Sequence, residues 1–161
     1  MIPSSFDYEV AESADHALEL LRTKEDAKLI AGGHSLLPLM KLRLARPGTL
    51  VDIGRLDLRG VRDAGDHLVI GGLTRHHDLN TDALARRHCP LIAYAAGLVG
   101  DPQVRHRGTI GGSLAHGDPA SDLPPMLIAL DASIVVRSSR AERVIAASDF
   151  FLGPFETAIK D

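Results

Sequence analysis

Cysteine is almost missing from this sequence: among 161 residues only Cys89 carries a thiol. A disulfide framework is therefore excluded, as is a cysteine-built zinc or iron–sulfur site within the chain. Long apolar runs are lacking too. No stretch approaches the roughly 20 residues of a bilayer-crossing helix, and the opening MIPSSFDYEV lacks the basic segment and apolar run of a signal peptide. A cytoplasmic location is the resulting expectation. Nor is there an excess of positive charge. Eighteen Lys and Arg stand against 21 Asp and Glu, for a formal net charge of −3, which argues against nonspecific nucleic-acid binding. Three catalytic or nucleotide signatures are also missing. There is no G-x-G-x-x-G, no G-x-x-x-x-G-K-[ST], and no G-x-S-x-G elbow around Ser35 or Ser113.

What is present has the composition of a globular domain, 45% hydrophobic and 24% charged. A chain of this length buries roughly 68–70% of its unfolded surface and can build a core without staples. Residues 13–23 place Ala14, Ala17, Leu18 and Leu21 at helical spacing, with Ser13 as N-cap. Residues 28–31 read as a short strand and SLLPLMKLRL as a helix that Arg46-Pro47-Gly48 breaks. Residues 49–53 read as the next strand. From Gly60 the pattern changes. VRDAGDHLVIGG suggests a hairpin turning at Ala64-Gly65-Asp66. Thr74 is a candidate cap for a helix through LTRHHDLNTDALARR, and Pro90 for the start of another. A further helix fits residues 125–130. Two strands fit 133–136 and 143–147, joined at Ser138-Ser139-Arg140. The alternation predicts an α+β chain of two α/β subdomains, residues 1–56 and 57–161.

Two glycine pairs carry the chemical signal. AGGHS, at Ala31, Gly32, Gly33, His34 and Ser35, follows the apolar Leu29-Ile30 and precedes Leu36. TIGGS, at Thr109, Ile110, Gly111, Gly112 and Ser113, opens the run TIGGSLAHGDPASDLPP. Each offers consecutive backbone N–H groups unmasked by side chains, the makings of a concave nest for anionic oxygens. A hydrogen bond to a charged acceptor contributes about 1.5–3 kcal/mol, whereas association costs roughly 4–15 kcal/mol. One nest is marginal by that comparison, and two with burial of an extended ligand suffice. A lone Gly-Gly pair also serves in ordinary turns, and Gly71-Gly72 reads as structural.

The remaining candidates are weaker. His76-His77-Asp78 and the series His116, Asp118, Asp122 are rich in metal-ligand types. Yet adjacent histidines diverge on a helix or a strand, and no metalloenzyme spacing surrounds them. Surface or helix-capping roles fit His76 and His77 better. Arg105-His106-Arg107 reads either as a solvated face or as electrostatic support for an anion or partner. His34 either satisfies its own turn or reaches a ligand, and Cys89 reads as an inert small side chain.

Taken together and in order, AGGHSLLPLMKLRLARPGTLVDIGRL and RHRGTIGGSLAHGDPASDLPPMLIALDA closely resemble the FAD-binding medium subunits of molybdenum hydroxylases. That is the family of the aerobic carbon monoxide dehydrogenase medium subunit and of the xanthine dehydrogenase flavin domain. The likeness extends to FFLGPFETAIKD. It implies the two-subdomain flavin fold also found in vanillyl-alcohol oxidase. It further implies FAD as cofactor, bound at residues 31–35 and 109–113, with Leu29, Ile30 and Leu36 flanking the first loop. Asp122 matches a position associated with the cofactor's polar groups, where a carboxylate suits a sugar hydroxyl. No side chain is implied to be a general acid or base. The implied partners are a large subunit with the molybdenum cofactor and a small subunit with [2Fe–2S] clusters. Electrons would pass through these to FAD and on to an external acceptor, which could be membrane-associated. Family members continue past FFLGPFETAIKD, so the resemblance also implies a missing C-terminal part. Two other readings are a stand-alone flavin reductase of the same superfamily and a non-catalytic nucleotide-binding or assembly module. The first needs a substrate domain that is not visible, and the intact loops speak against the second.

Overall fold

The computed structural model describes residues 2–159; Met1 and the final Lys160-Asp161 of the family-like FFLGPFETAIKD lie outside the described residues. The chain divides into two compact units, residues 1–57 and 58–161.

The first unit is a three-stranded parallel sheet in the order β1-β3-β2. It runs β1 (Asp7–Val10), α1 (Ala14–Thr23), β2 (Ala27–Ile30), α2 (Leu36–Lys41) and β3 (Thr49–Asp52). The edge strand β1 alternates polar and apolar residues along Asp7, Tyr8, Glu9 and Val10. The central strand carries the hydrophobic burden, with Thr49, Leu50 and Val51 all buried, as expected of a parallel strand covered on both faces. Ala17 and Leu20 of α1 pack with Val51 and Ala11. Ser13 caps α1 as expected, its Oγ accepting from the His16 N–H at 3.0 Å. The second helix is shorter than SLLPLMKLRL suggests. Leu44 donates its N–H to Leu39 O and Arg43 to Met40 O, with Arg43 at φ 60°. That pairing is a Schellman stop, made here without glycine.

The second unit is helical with three antiparallel hairpins: β4 (Val61–Asp63) with β5 (Leu68–Ile70), β6 (Ser133–Arg137) with β7 (Glu142–Ala146), and β8 (Phe151–Gly153) with β9 (Glu156–Thr157). Its helices are α3 (His76–Thr81), α4 (Ala83–His88), α5 (Pro90–Leu98), α6 (Pro102–Arg105), α7 (Ile110–His116), α8 (Leu123–Ala129) and α9 (Ala147–Phe150). Leu79, Ile92, Ala96, Ile110, Leu114, Leu123 and Phe150 share one core. Alanines on α5 and a glycine at position 97 let α3 come close: a Cβ there would sit 2.6 Å from Asn80 Nδ2, and that amide donates to Ala93 O at 2.9 Å.

Three expectations for this unit need correction. The single helix through LTRHHDLNTDALARR is two helices, because Asp82 is extended (φ −64°, ψ 131°) and its carboxylate accepts from Ala85 N–H. Thr74 caps neither. Its hydroxyl accepts from Gly60 N–H at 2.9 Å and faces Gly60 O at 3.2 Å, so the residue ties the segment after β5 to the backbone just before β4. The helix expected at residues 125–130 starts earlier, at Leu123, since prolines in a first turn forfeit only N–H groups that lack helical partners anyway.

Replacing Asp82 by Ala removes the cap of α4 and is expected to cost about 1 kcal/mol, read as a lower urea midpoint with an unchanged slope.

Candidate functional site

The two glycine loops, so alike in sequence, are built differently. In the first, the chain leaves β2 at Ile30 and turns at Gly33, which sits at φ +77°. A side chain is strained in that conformation, and a Cβ would also lie 2.9 Å from Leu37 Cδ1 and 3.5 Å from Ile30 Cδ1. Gly33 O then accepts from Leu37 N–H at 2.9 Å, which opens α2. Among the described residues, the N–H groups of Gly32, Gly33, His34 and Ser35 make no hydrogen bond. Ser35 occupies the N-cap position but its hydroxyl does not cap. His34 and Ser35 are exposed, Ala31, Gly32, Gly33, Ile30 and Leu36 are half-buried, and Leu29 is exposed. A run of free donors around a left-handed glycine is the geometry of an anion nest.

The second loop has little left to donate from its backbone. Thr109 is the N-cap of α7, its Oγ1 accepting from Gly112 N–H at 3.2 Å. Ile110 N–H donates to Thr74 O at 3.0 Å and Gly111 N–H to Gly72 O at 2.8 Å, while Ser113 N–H enters the helix through Thr109 O. The expectation that residues 109–113 present a run of unused main-chain donors is therefore corrected for residues 110–113, whose N–H groups are all engaged. The reason is a short antiparallel ladder that the sequence does not announce, with His76 N–H on Gly108 O at 3.1 Å and a bridge between Arg75 and Thr109. Gly111 serves close approach: its Cβ would stand 2.6 Å from Gly72 O and 3.0 Å from Gly72 Cα. What this loop presents are side chains and the exposed Gly112. Gly71 is structural as read, since a Cβ there would meet Leu58 O at 2.4 Å.

His76 is the residue that spacing misplaces. Far from the surface, it is 1% exposed. Its Nε2 lies 3.2 Å from Ser113 Oγ, and its Nδ1 is buried with no partner among the described residues. Burial pulls its pKa from 6.5 down to about 4, so the ring is neutral at pH 7. His77 points elsewhere and stacks on His106 with centroids 3.9 Å apart. The divergence of adjacent helical side chains, expected from geometry, thus separates an inner from an outer histidine. No sequence signal distinguishes which is which.

Asp122 is the exposed N-cap residue of α8, and its carboxylate caps no N–H. Asp118 is committed to its own turn through Ala120 N–H at 2.9 Å, and the His116 ring lies against Phe155. Arg105 is partly committed within the fold: its Nη1 donates to the carbonyls of Val99 and Gly100 beyond α5. Among the described residues no three His, Cys, Asp or Glu gather as metal ligands. Among them, too, no helix is long and apolar enough to cross a membrane.

Gly111→Ala is expected to lose about 1–3 kcal/mol of stability through overpacking against backbone, measured by urea unfolding. His76 makes stability depend on pH. The unfolded ring takes a proton near 6.5 and the folded one only near 4, so stability is full above 6.5 and falls as pH drops between those values. The expected loss from pH 7 to pH 5 is about 2 kcal/mol, and His76→Phe should abolish that share of the acid sensitivity.

Comparison with known proteins agrees with this architecture. Residues 4–161 match the family described as the FAD binding domain in molybdopterin dehydrogenase. The chain is 47% identical over 163 residues to the carbon monoxide dehydrogenase medium chain of Hydrogenophaga pseudoflava, covering 100% of this chain and 57% of that protein. It is 46% identical to the 6-hydroxypseudooxynicotine dehydrogenase complex subunit alpha of Paenarthrobacter nicotinovorans, covering 99% and 54%. Among solved structures, carbon monoxide dehydrogenase from Hydrogenophaga pseudoflava superposes with a TM-score of 0.96 at 48% identity, over 99% of this chain and 56% of the other. Quinoline 2-oxidoreductase from Pseudomonas putida 86 superposes equally well, at 0.96 and 33% identity, over 99% and 56%. The chain thus spans about half the length of the curated relatives it matches. The expected α+β flavin-domain fold is the fold of these proteins. With its two glycine loops set in that fold, the chain belongs to the family of FAD-binding domains of molybdopterin dehydrogenases.

Proposed function

We propose that this chain holds FAD within the electron-transfer subunit of a molybdenum hydroxylase or dehydrogenase of the carbon monoxide dehydrogenase type. The observation that carries the reading is the row of four uncommitted N–H groups at Gly32, Gly33, His34 and Ser35. A cofactor diphosphate suits such a row, because each charged oxygen can accept from the backbone without a lysine or arginine being needed. Leu29, Ile30, Ala31 and Leu36 frame this loop. Residues Thr109, Ile110, Gly111, Gly112 and Ser113 form the second contact. There the Ser113 hydroxyl and the side-chain-free surface of Gly112 do the binding, since the neighbouring amides are spent. Asp122, with no cap hydrogen bond, is suited to accept from a sugar hydroxyl.

When bound, FAD supplies electron transfer at its isoalloxazine ring, able to take electrons singly and pass them on. The residues of this chain contribute position and electrostatics, and none of them is assigned proton transfer. The reading includes a large subunit carrying the molybdenum cofactor and a small subunit carrying [2Fe–2S] clusters as electron source. It places the complex in the cytoplasm, with an external electron acceptor, membrane-associated in one version.

Added FAD is expected to give the chain a protein-bound flavin spectrum. Ser35→Asp tests the nest with little cost to the fold, because the Ser35 side chain is exposed and makes no cap hydrogen bond that the exchange would break. It sets a negative charge among the donors and should weaken FAD binding at least tenfold (about 1.4 kcal/mol) while leaving the unfolding midpoint nearly unchanged. Unaltered affinity would remove residues 31–35 from the diphosphate site.

A further inference from the structure

His76 is buried so completely that no water reaches its ring, yet only one of its nitrogens is used. Nδ1 has no partner among the described residues, and Nε2 faces Ser113 Oγ at 3.2 Å. The ring is also locked in place. Its backbone N–H is held by Gly108 O at 3.1 Å, and a Cβ on Gly108 would stand 2.9 Å from Cδ2 and 3.1 Å from Nε2. The Cδ2–Nε2 edge of the imidazole therefore occupies the space that a side chain at position 108 would need.

A neutral imidazole carries one proton, and two arrangements are open to this pair. With the proton on Nδ1, a donor is buried with nothing to receive it, and the Ser113 proton is consumed by Nε2. With the proton on Nε2, the ring donates to Ser113 Oγ and Nδ1 is left as a bare acceptor. Buried orphan N–H groups are the rarer of the two defects in proteins, which selects the second arrangement. The serine oxygen then has an acceptor site filled from inside the protein, and its own proton is free to point away from His76.

We propose that His76 is a positioning residue that donates from Nε2 to Ser113 Oγ and thereby turns the Ser113 hydroxyl into a hydrogen-bond donor toward an acceptor oxygen of bound FAD. This rests on the reading that residues 109–113 touch the cofactor. It explains why a loop whose amides at 110, 111 and 112 are already engaged can still recognise an oxygen-rich ligand. It also explains why a histidine rather than an apolar side chain occupies a core position beside that loop. Phenylalanine would fill the space but leave the hydroxyl free to rotate.

Two measurements on this chain test the proposal. In nitrogen-15 NMR of the labelled protein, with the His76 signals identified by their loss in His76→Gln, the Nε2–H tautomer is expected. A His76 protonated on Nδ1 overturns the inference whether or not FAD binds. In FAD titrations, Ser113→Ala and His76→Phe should each weaken binding about tenfold, and the double variant should be no weaker than either single one. His76→Gln, which keeps a donor near the Nε2 position, should recover affinity to within about threefold of the parent chain. Circular dichroism confirms that each variant is folded, and the glutamine variant carries the comparison if phenylalanine disturbs the core. Unchanged affinity in the single variants, or independent losses that multiply in the double one, overturns the positioning role. A parent chain that takes up no FAD refutes the functional reading itself, and the tautomer spectrum then still decides the His76–Ser113 half on its own.

Discussion

Two backbones meet at Gly72 and Gly111 without a side chain between them, and the organisation of the second unit depends on that approach. The Gly111 N–H reaches Gly72 O at 2.8 Å, a distance that any Cβ on Gly111 would make untenable. Once these strands touch, Ile110 N–H finds Thr74 O and His76 N–H finds Gly108 O. The ladder buries Thr74, His76 and Thr109, polar residues in an otherwise apolar interior. Their burial is tolerable because the two threonine hydroxyls find backbone partners, as buried polar groups must. Thr74 is tied to Gly60, and Thr109 to Gly112. Among the described residues, the buried side-chain polar atom left without a partner is His76 Nδ1.

This constraint separates the two glycine loops by role. At residues 31–35 the glycines keep donors open: Gly33 adopts a left-handed conformation, and the following helix starts late enough to leave four amides unused. At residues 109–113 the glycines permit packing, and the donors are consumed by it. Neither pentapeptide contains a lysine or an arginine. Recognition of an anionic cofactor by this chain is thus assigned to oriented backbone dipoles at the first loop and to hydroxyl and small-residue surface at the second. Basic residues that look available are used elsewhere. Arg105 closes the end of α5 on two carbonyls, and the charge of His76 is suppressed by burial.

The sequence by itself determined the outline. Glycine pairs after apolar runs, the Ser13 cap and the Pro90 helix start are local signals whose physics acts within a few residues, and the elements formed there. The paired motifs in their order were enough to point to the flavin family, because that resemblance spans nearly the whole chain. Tertiary structure alone decided how the donors are spent. Whether an amide is free depends on a carbonyl more than thirty residues away, as with Gly111 and Gly72, and no local pattern records it. The same holds for His76 and His77. They are identical neighbours in sequence, and only the chain folded against Gly108 and Ser113 makes one an interior hydrogen-bonding group and the other a half-buried ring stacked on His106. Long-range backbone pairing and burial set these roles, and both come into being only with the fold.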